Sequence, residues 1–377
     1  MRMNNTIKLG NFISEYSIRN RADDDIPVYS VTNKEGFCRD YFSKDVASQD
    51  RSTYKIVPRG CFAYNPSRIN VGSVDWQRKE DRVIVSPLYV VFSVSKGLDQ
   101  QYLYYYLKSE KCLYYIKELA SGSVRDNLKL SMLKEFTIPN ITLEEQRKAV
   151  MVLEQTDRLI VLQERQMTVL DELVKSRFIE MFGDIAPSDY RSMEDICSII
   201  TDGTHQPPKF VREGIPFLFV SNITGNVVTY DAEKFIDEQT YSDLIKRTPI
   251  EIGDILLSTV GSYGHPAVVK EPTRFCFQRH IAYLKPIASV VDSDYLHGAI
   301  LSSIVQAQIE DKVKGIAQKT LNLSEIRKIR IPVPEIHMQR EFAHFAAQTD
   351  KSKLAVKQSL EKLETLKKSL MQQYFGG

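Results

Sequence analysis

The feature that most constrains how this chain can fold is an internal repeat. At a shift of 193 residues, the stretch from Ser121 to Asp184 aligns without a gap with the stretch from Lys314 to Gly377. Chance is a poor explanation for an ungapped alignment over this distance, so the chain is predicted to be a tandem duplication of one fold. The matched positions include Gly122 with Gly315, Leu128 with Leu321, Ser131 with Ser324, Ile138-Pro139 with Ile331-Pro332, Gln146-Arg147 with Gln339-Arg340, and Phe182-Gly183 with Phe375-Gly376.

Each copy of the repeat ends in a long segment with the period of an amphipathic helix. The first spans 143–184 and the second runs from Gln339 to Phe375. About 40 residues at roughly 1.5 Å each form a rod of about 60 Å, which one small domain cannot cover, so each helix is expected to need the other. The residues expected to pack along the two seams are Leu153, Ile160, Met167, Leu170 and Val174 in the first segment and Val356, Leu360, Leu363, Leu366 and Leu370 in the second.

The two long segments carry opposite net charge. Residues 143–184 hold six Lys and Arg against nine Asp and Glu, whereas residues 337–377 hold seven against four. Opposite charge favours pairing of the two helices, because flanking charges help to set partner choice and orientation. Charge offsets of this size on solvated helices can also be incidental, and the sequence leaves that alternative open.

The rest of the chain forms two segments of mixed helix and strand character, 1–142 and 185–336. The predicted fold is therefore α/β (α+β), with two pseudo-symmetric domains, 1–142 and 185–336, separated by long helices at 143–184 and 337–377. Strands are predicted at 26–31, 52–57, 82–94, 216–220, 254–258 and 280–284, and shorter helices at 100–119 and 294–312.

Composition disfavours several classes of protein. The apolar runs stay well short of the roughly 18 residues that a membrane helix requires, and the first residues contain no signal-peptide core. The five cysteines stand far apart without a CxxC pair, which argues against a disulfide framework or a zinc site. A reducing cytoplasm is the expected location.

The sequence contains no complete catalytic motif. Tyr64-Asn65-Pro66-Ser67 resembles the Asn-Pro-Pro-aromatic motif of adenine methyltransferases, but it lacks the second proline and the aromatic residue. Gly261-Ser262-Tyr263-Gly264 lacks the lysine of a phosphate-binding loop, and the six histidines show no metal-ligand spacing. These residues therefore offer no methyltransferase, phosphate-loop or metal-site candidate.

Polar and basic residues suited to reading DNA cluster in three places. Arginine can bridge a guanine edge and asparagine an adenine edge, and Arg or Lys can hold phosphate. A solvated basic face is an equally good interpretation of any single residue in the first cluster. The candidates are Asn65, Arg68, Asn70, Trp76 and Lys79 in the first domain, Thr204, His205, Lys209, Asn222, Tyr263, Arg279 and His280 in the second, and Arg125, Asn127, Gln318 and Lys319 in the loops before each repeat.

Taken together, these features resemble the specificity subunit of Type I restriction-modification systems. The similarity covers essentially the whole chain. It is carried by the segment Gly122 to Arg147, by LDELVKSRFIEMFGD from Leu170 to Asp184, and by the DGTH loop from Asp202 to His205. The second copy departs at Pro334 to Glu341, where PEIHMQRE replaces the more usual Leu-Glu-Glu-Gln version, so the start of the second long helix is left open.

The resemblance implies a division of labour in which this chain is a non-catalytic specificity subunit with no metal or cofactor of its own. Each domain would be a target recognition domain that reads one half of an asymmetric, bipartite duplex DNA site. The long helices would pack as an antiparallel coiled coil, set the spacing and dock two methyltransferase subunits. Those subunits would bring S-adenosylmethionine, and restriction (translocase) subunits would use ATP and Mg. Two alternatives remain, a specificity subunit of a methyltransferase-only system and a coiled-coil scaffold with domains that do not bind DNA.

Overall fold

A computed structural model describes residues 6–39, 51–120, 127–315 and 319–376. The chain divides into two compact units. Unit one comprises Met1–Gln163 with Ser359–Gly377, and unit two comprises Glu164–Gln358. Among the described residues, none of the helices combines the length and the apolar character needed to cross a membrane.

Unit one is built on a four-stranded antiparallel sheet in the order β2-β9-β6-β7, with helices packed against it. Two-stranded pairs β1-β10, β3-β4 and β5-β8 surround this sheet. The strands are β1 Thr6–Lys8, β2 Ile13–Glu15, β3 Ser30–Thr32, β4 Gly36–Cys38, β5 Lys55–Pro58, β6 Phe62–Tyr64, β7 Val74–Trp76, β8 Arg82–Val85, β9 Val90–Val94 and β10 Thr137–Pro139. The helices are α1 Gln100–Lys108, α2 Glu110–Ala120, α3 Leu130–Lys134 and α4 Leu143–Phe182, the last of which continues into unit two.

Unit two has the same central sheet, in the order β12-β18-β15-β16, again antiparallel throughout. A three-stranded sheet, β14-β13-β17, and a pair, β11-β19, complete it. The strands are β11 Tyr190–Ser192, β12 Cys197–Asp202, β13 Ile215–Leu218, β14 Lys234–Ile236, β15 Ile255–Ser258, β16 Pro266–Val268, β17 Cys276–Phe277, β18 Ile281–Pro286 and β19 Arg330–Pro332. The helices are α5 Met193–Ile196, α6 Glu238–Leu244, α7 Ser293–Leu301, α8 Ser303–Lys312, α9 Leu323–Arg327 and α10 Ile336–Phe375.

The two units confirm the tandem duplication and the predicted α/β fold. A shift of 193 residues carries α1 onto α7, α3 onto α9, β10 onto β19 and α4 onto α10, with both ends of each element matching. The second long helix begins at Ile336, which settles its start. The segments that differ between the units are the small sheets at their surfaces.

Several predicted elements differ in extent. The strand expected over 26–31 is only β3, Ser30–Thr32, and two helices and one strand are each interrupted. The helix expected over 100–119 is divided at Ser109, and the one expected over 294–312 is divided at Ser302. Both serines are buried and extended in backbone, and their hydroxyls donate to the carbonyl oxygens of Tyr106 and Ala299, at 2.6 and 2.7 Å. The strand expected over 82–94 is likewise two strands, β8 and β9.

A buried glutamine anchors the start of each long helix. In unit two, the Gln339 side-chain oxygen accepts from the Asp292 amide at 2.9 Å, and its nitrogen donates to the Pro334 and Val290 carbonyls. Gln146 makes the equivalent bonds in unit one, with the Asp99 amide and the Ile141 carbonyl. The glutamine of the Gln-Arg match in the sequence repeat therefore makes the same hydrogen bonds between the long helix and the domain in both units.

The aromatic residue at the end of each long helix enters the core of the unit in which that helix ends. In unit one, Phe375 from the end of α10 lies 5.0 Å from Tyr102, measured between ring centroids. In unit two, Phe182 from the end of α4 lies 5.2 Å from Tyr295. Each long helix thus begins in one unit and ends in the core of the other.

Within each unit, α4 and α10 lie side by side and are bridged by ion pairs. In unit one, Lys367 of α10 lies 2.6 Å from Asp157 of α4. In unit two, Lys353 lies 2.6 Å from Asp171, while Arg177 and Glu341 reverse the signs at 3.4 Å. Because partner numbers on α10 fall as those on α4 rise, the helices are antiparallel. Two of these pairs place a lysine of α10 on an aspartate of α4, in the sense that the net charges predicted.

Nine of the ten residues predicted for the helix seams are buried or half-buried, at the three- and four-residue steps of a coiled-coil seam. Leu366 was wrongly included, because its side chain is 48% exposed. The seam of α10 steps from Leu363 to Lys367 and then to Leu370, which turns position 366 outward.

Candidate nucleic-acid interface

In unit one, three of the predicted contact residues line one open groove. Asn65, Arg68 and Asn70 follow strand β6, and they face the β3-β4 turn across a groove of about 580 Å³. Asn33 and Lys34 of that turn line the opposite side. The groove therefore gathers amide and cationic groups that could meet base edges or phosphates.

Asn65 has a structural task as well. Its side-chain oxygen accepts from the Ser67 amide at 3.1 Å and from the Ser67 hydroxyl at 2.9 Å. An amide whose oxygen caps a turn cannot form the two-bond pair with adenine without breaking that turn. Arg68 and Asn70 are thus better placed than Asn65 for direct reading.

Leu128, which leads into α3, is bonded to the segment that follows β6. The Leu128 amide donates to the Pro66 carbonyl at 3.2 Å, and the Tyr64 hydroxyl donates to the Leu128 carbonyl at 3.0 Å. Asn127, the residue before Leu128, is exposed. Arg125, from the same loop, lies outside the described residues.

Trp76 and Lys79 do not line the groove. The Trp76 indole donates to the Gln101 side-chain oxygen at 3.0 Å, and the Arg78 guanidinium lies 4.7 Å from the ring centroid. Trp76 is therefore held in the packing of β7 against α1. Lys79 is exposed on the turn between β7 and β8.

In unit two, the DGTH loop lies on the turn between β17 and β18. The Thr204 amide donates to the Phe277 carbonyl at 3.1 Å, and the Arg279 amide donates to the Thr204 carbonyl at 3.0 Å. Gly203 is required by this close approach, because a Cβ there would lie 2.2 Å from the Phe277 carbonyl oxygen. The loop thus brings Thr204 and His205 next to Arg279 and His280.

Two further loops extend this patch. The Thr259 amide donates to the His280 carbonyl at 3.0 Å, and the Leu321 amide donates to the Thr259 carbonyl at 2.8 Å. The Lys319 ammonium lies 5.9 Å from the centroid of the Tyr263 ring. We call the resulting set the unit-two surface: Thr204, His205, Tyr263, Arg279, His280 and Lys319.

The two units share one hydrogen bond next to their candidate residues. The bond from Leu128 to Pro66 in unit one corresponds, at the shift of 193 residues, to the bond from Leu321 to Thr259 in unit two. In both units the residue that leads into α3 or α9 is therefore bonded to the turn that follows the third strand of the central sheet. The duplication has preserved a surface position whose side chains differ.

The titration of His280 also fits a reading role. Burial, reinforced by the neighbouring Arg279 cation, lowers the pKa of His280 below its usual value. Nε2 of His280 accepts from Nε of Arg279 at 3.3 Å, so the neutral ring keeps its Nδ1–H as a donor for an acceptor on a base edge.

Two other candidates in unit two do not belong to this surface. Asn222 is buried, its amide nitrogen donating to the Thr229 and Asp231 carbonyls and its oxygen accepting from the Phe219 amide. Its selection as a DNA contact was wrong, because every polar group of its side chain serves the fold. Lys209 is exposed, on a loop that is paired with β14 through Val211. Gln318 lies outside the described residues.

Sequence reasoning missed Arg247 and Asp202 as parts of this region. Asp202 ends β12 and lies beside His205, and Arg247 follows α6 and forms an ion pair with Asp202. The pairing joins residues from separate elements, so no spacing in the sequence announces it. Within the ranges that the structure describes, no three His, Cys, Asp or Glu side chains gather as a metal site would require.

Comparisons with known proteins agree on one family. The family model described as "Type I restriction modification DNA specificity domain" matches residues 8–171 and again 188–366. The EcoBI specificity subunit of Escherichia coli is 27% identical over 180 residues, which cover 46% of this chain and 38% of that protein. The MjaIX specificity subunit of Methanocaldococcus jannaschii is 25% identical over 268 residues, covering 65% and 61%. The matches thus span less than two thirds of either relative.

Solved structures share the fold over nearly the whole chain. A structure from work on complex assembly and conformational transition of the type I R-M system superposes with a TM-score of 0.59 at 17% identity, covering 98% of this chain and 97% of that one. The S subunit of a Type-I restriction-modification system from M. genitalium gives 0.50 at 15% identity, covering 98% and 96%. At these identities the likeness concerns the fold alone.

Proposed function

This chain belongs to the Type I restriction-modification DNA specificity family, and on that premise we propose that it selects the DNA site at which a multisubunit enzyme acts. Each recognition domain, 1–142 and 185–336, reads one half of an asymmetric bipartite duplex. The long helices, 143–184 and 337–377, set the distance between the halves. The chain itself makes and breaks no bonds.

One observation carries this proposal. In both units the residue that leads into α3 or α9 is bonded to the turn after the third strand of the central sheet, and the two turns carry different side chains. In unit one this turn carries Arg68 and Asn70, whereas the corresponding positions of unit two are Gly261 and Tyr263. A duplicated scaffold with different polar groups at one position suits a protein that reads two unlike sequences.

The chemistry of these groups supports DNA as the ligand. Arginine and asparagine match guanine and adenine edges in the major groove, and lysine matches phosphate. A helix of about 40 residues is roughly 60 Å long, which exceeds one turn of DNA at about 34 Å. Helices of this length are therefore long enough to set a spacing of about one turn of DNA between two half-sites.

The partners follow from this role. We propose that the chain works in the cytoplasm with two methyltransferase subunits, docked on the long helices, that use S-adenosylmethionine to methylate adenine. Restriction subunits that use ATP and Mg would join them for cleavage. A methyltransferase-only complex is the alternative, and its genes would lack a translocase neighbour.

The test is a genome-wide map of methylated adenines. Cells that make the wild-type chain with its methyltransferase should show one bipartite motif, and cells without it should show none. Replacing residues 1–142 with the corresponding domain of another family member should change one half of the motif and leave the other half intact. If both halves change, or if no motif depends on this chain, the proposal fails.

A further inference from the structure

A carboxylate at the edge of the unit-two surface binds two outward-facing side chains at once. Only 14% of the Asp202 side chain is exposed, whereas Arg247 and His205 are 53% and 54% exposed. One carboxylate oxygen accepts from the Arg247 guanidinium, and the other lies 2.9 Å from Nε2 of His205. A largely buried group thus fixes the direction of two groups that face solvent.

Arg247 is fixed at a second point by a hydroxyl. Its Nε and Nη2 atoms both lie 3.2 Å from Oγ1 of Thr201. Together with the ion pair to Asp202, these contacts engage the Nε–Nη2 edge of the guanidinium and do not involve its Nη1 amino group. An arginine ordered in this way loses little further side-chain entropy when Nη1 meets a phosphate oxygen.

His205 is oriented by the same carboxylate. An ionised carboxylate only accepts hydrogen bonds, so Nε2 of His205 is the donor in this contact. In the neutral ring Nδ1 is then an acceptor. The amino groups of adenine and cytosine are the donors that the major groove presents.

We propose that Asp202 is a positioning residue that directs Arg247 to a DNA phosphate and His205 to a base amino group in the half-site read by unit two. The inference rests on the proposed function. It adds Arg247 as a DNA contact, and it gives the DGTH loop a physical role, with Gly203 allowing the close approach and Asp202 aiming the side chains.

The experiment compares two variants with two matched controls in the full-length chain, assembled with its methyltransferase. Asp202→Asn and Arg247→Ala remove the proposed interactions. Asp243→Asn and Lys246→Ala remove the same charges from a neighbouring exposed ion pair of 2.8 Å. Binding is measured by fluorescence anisotropy at several salt concentrations, on duplexes with the methylated motif and with single base-pair changes in either half.

For Arg247→Ala we expect binding to the motif to weaken about 10-fold and the slope of log K against log salt to shrink by about 0.9. For Asp202→Asn we expect discrimination against changes in the unit-two half-site to fall about 10-fold. Discrimination in the unit-one half-site should stay at its wild-type value, which also reports that each variant is folded. The two control variants should behave as the wild type does.

The inference is overturned if the controls lose as much as the variants, or if the two half-sites lose discrimination equally. Both outcomes leave the proposed function standing. A wild-type complex without any sequence preference would overturn the proposed function and this inference together.

Discussion

At the scale of single residues, burial decides which polar side chains are free to act. Asn222 and Arg247 both lie in unit two. The side-chain amide of Asn222 is hydrogen-bonded to three backbone groups, whereas the Arg247 side chain is exposed to solvent. Gln146 and Gln339, which match in the repeat, are likewise buried and hydrogen-bonded within the fold. Their matching identity is explained by buried bonds to helix starts.

Gln339→Ala should lower the free energy of unfolding by about 2 kcal/mol, because it leaves the Asp292 amide and two carbonyls without their buried partner. The measurement is denaturant unfolding of the full chain. Gln348→Ala is the matched control, since that glutamine is exposed and contacts His344 on its own helix. A loss below about 0.5 kcal/mol for Gln339→Ala would contradict the anchoring role.

At the scale of elements, each long helix is stabilised by one apolar face that is buried, while its other face is exposed to solvent. The seam of α4 is buried at Leu153 and half-buried through Ile160, while Leu159 on the same helix is 47% exposed. Lysines of α10 add ion pairs to aspartates of α4 in each unit. Since such partly exposed pairs contribute little singly, the apolar seam accounts for most of the helix pairing.

Leu153→Ala should therefore cost about 3 kcal/mol of unfolding free energy, because a fully buried leucine leaves a cavity when it is truncated. Leu159→Ala removes the same atoms from an exposed position in the same unit and should cost less than about 0.5 kcal/mol. Chemical denaturation of both variants makes the comparison. Equal losses would show that the seam is not where the burial pattern locates it.

At the scale of the whole molecule, both long helices start in one unit and end in the other. Phe375 fills a place beside Tyr102, and Phe182 fills the equivalent place beside Tyr295. Neither unit has a complete core without the end of the helix that began in the other. Folding of each unit therefore depends on a long helix that begins in the other unit.

A seven-residue insertion in the middle of both α4 and α10 should lengthen the unspecified gap of the methylated motif by about three base pairs, since seven helical residues add about 10 Å. One heptad preserves the seam on each helix, so both half-sites should stay unchanged. Methylation mapping gives the readout. The same insertion in α4 alone should abolish methylation by misaligning the pair, and an unchanged gap in the double insertion would refute the spacing role.

The sequence by itself determined the duplication and the two long helices, because these are properties of identity and period along the chain. The α10 seam shows that a periodic pattern alone does not identify every buried residue. Leu366 fits the helical spacing but its side chain is exposed, and Lys367 occupies the seam position instead.

Only the tertiary structure decided which polar residues meet at a surface. Asp202 and Arg247 pair across 45 positions of sequence, and Thr204 meets Arg279 across 75. A period states which face of an element is apolar, but it does not state which distant element will pack there. Which elements pack together depends on all the tertiary contacts forming cooperatively. In this protein that packing buried Asn222 and left the groups of the unit-two surface exposed.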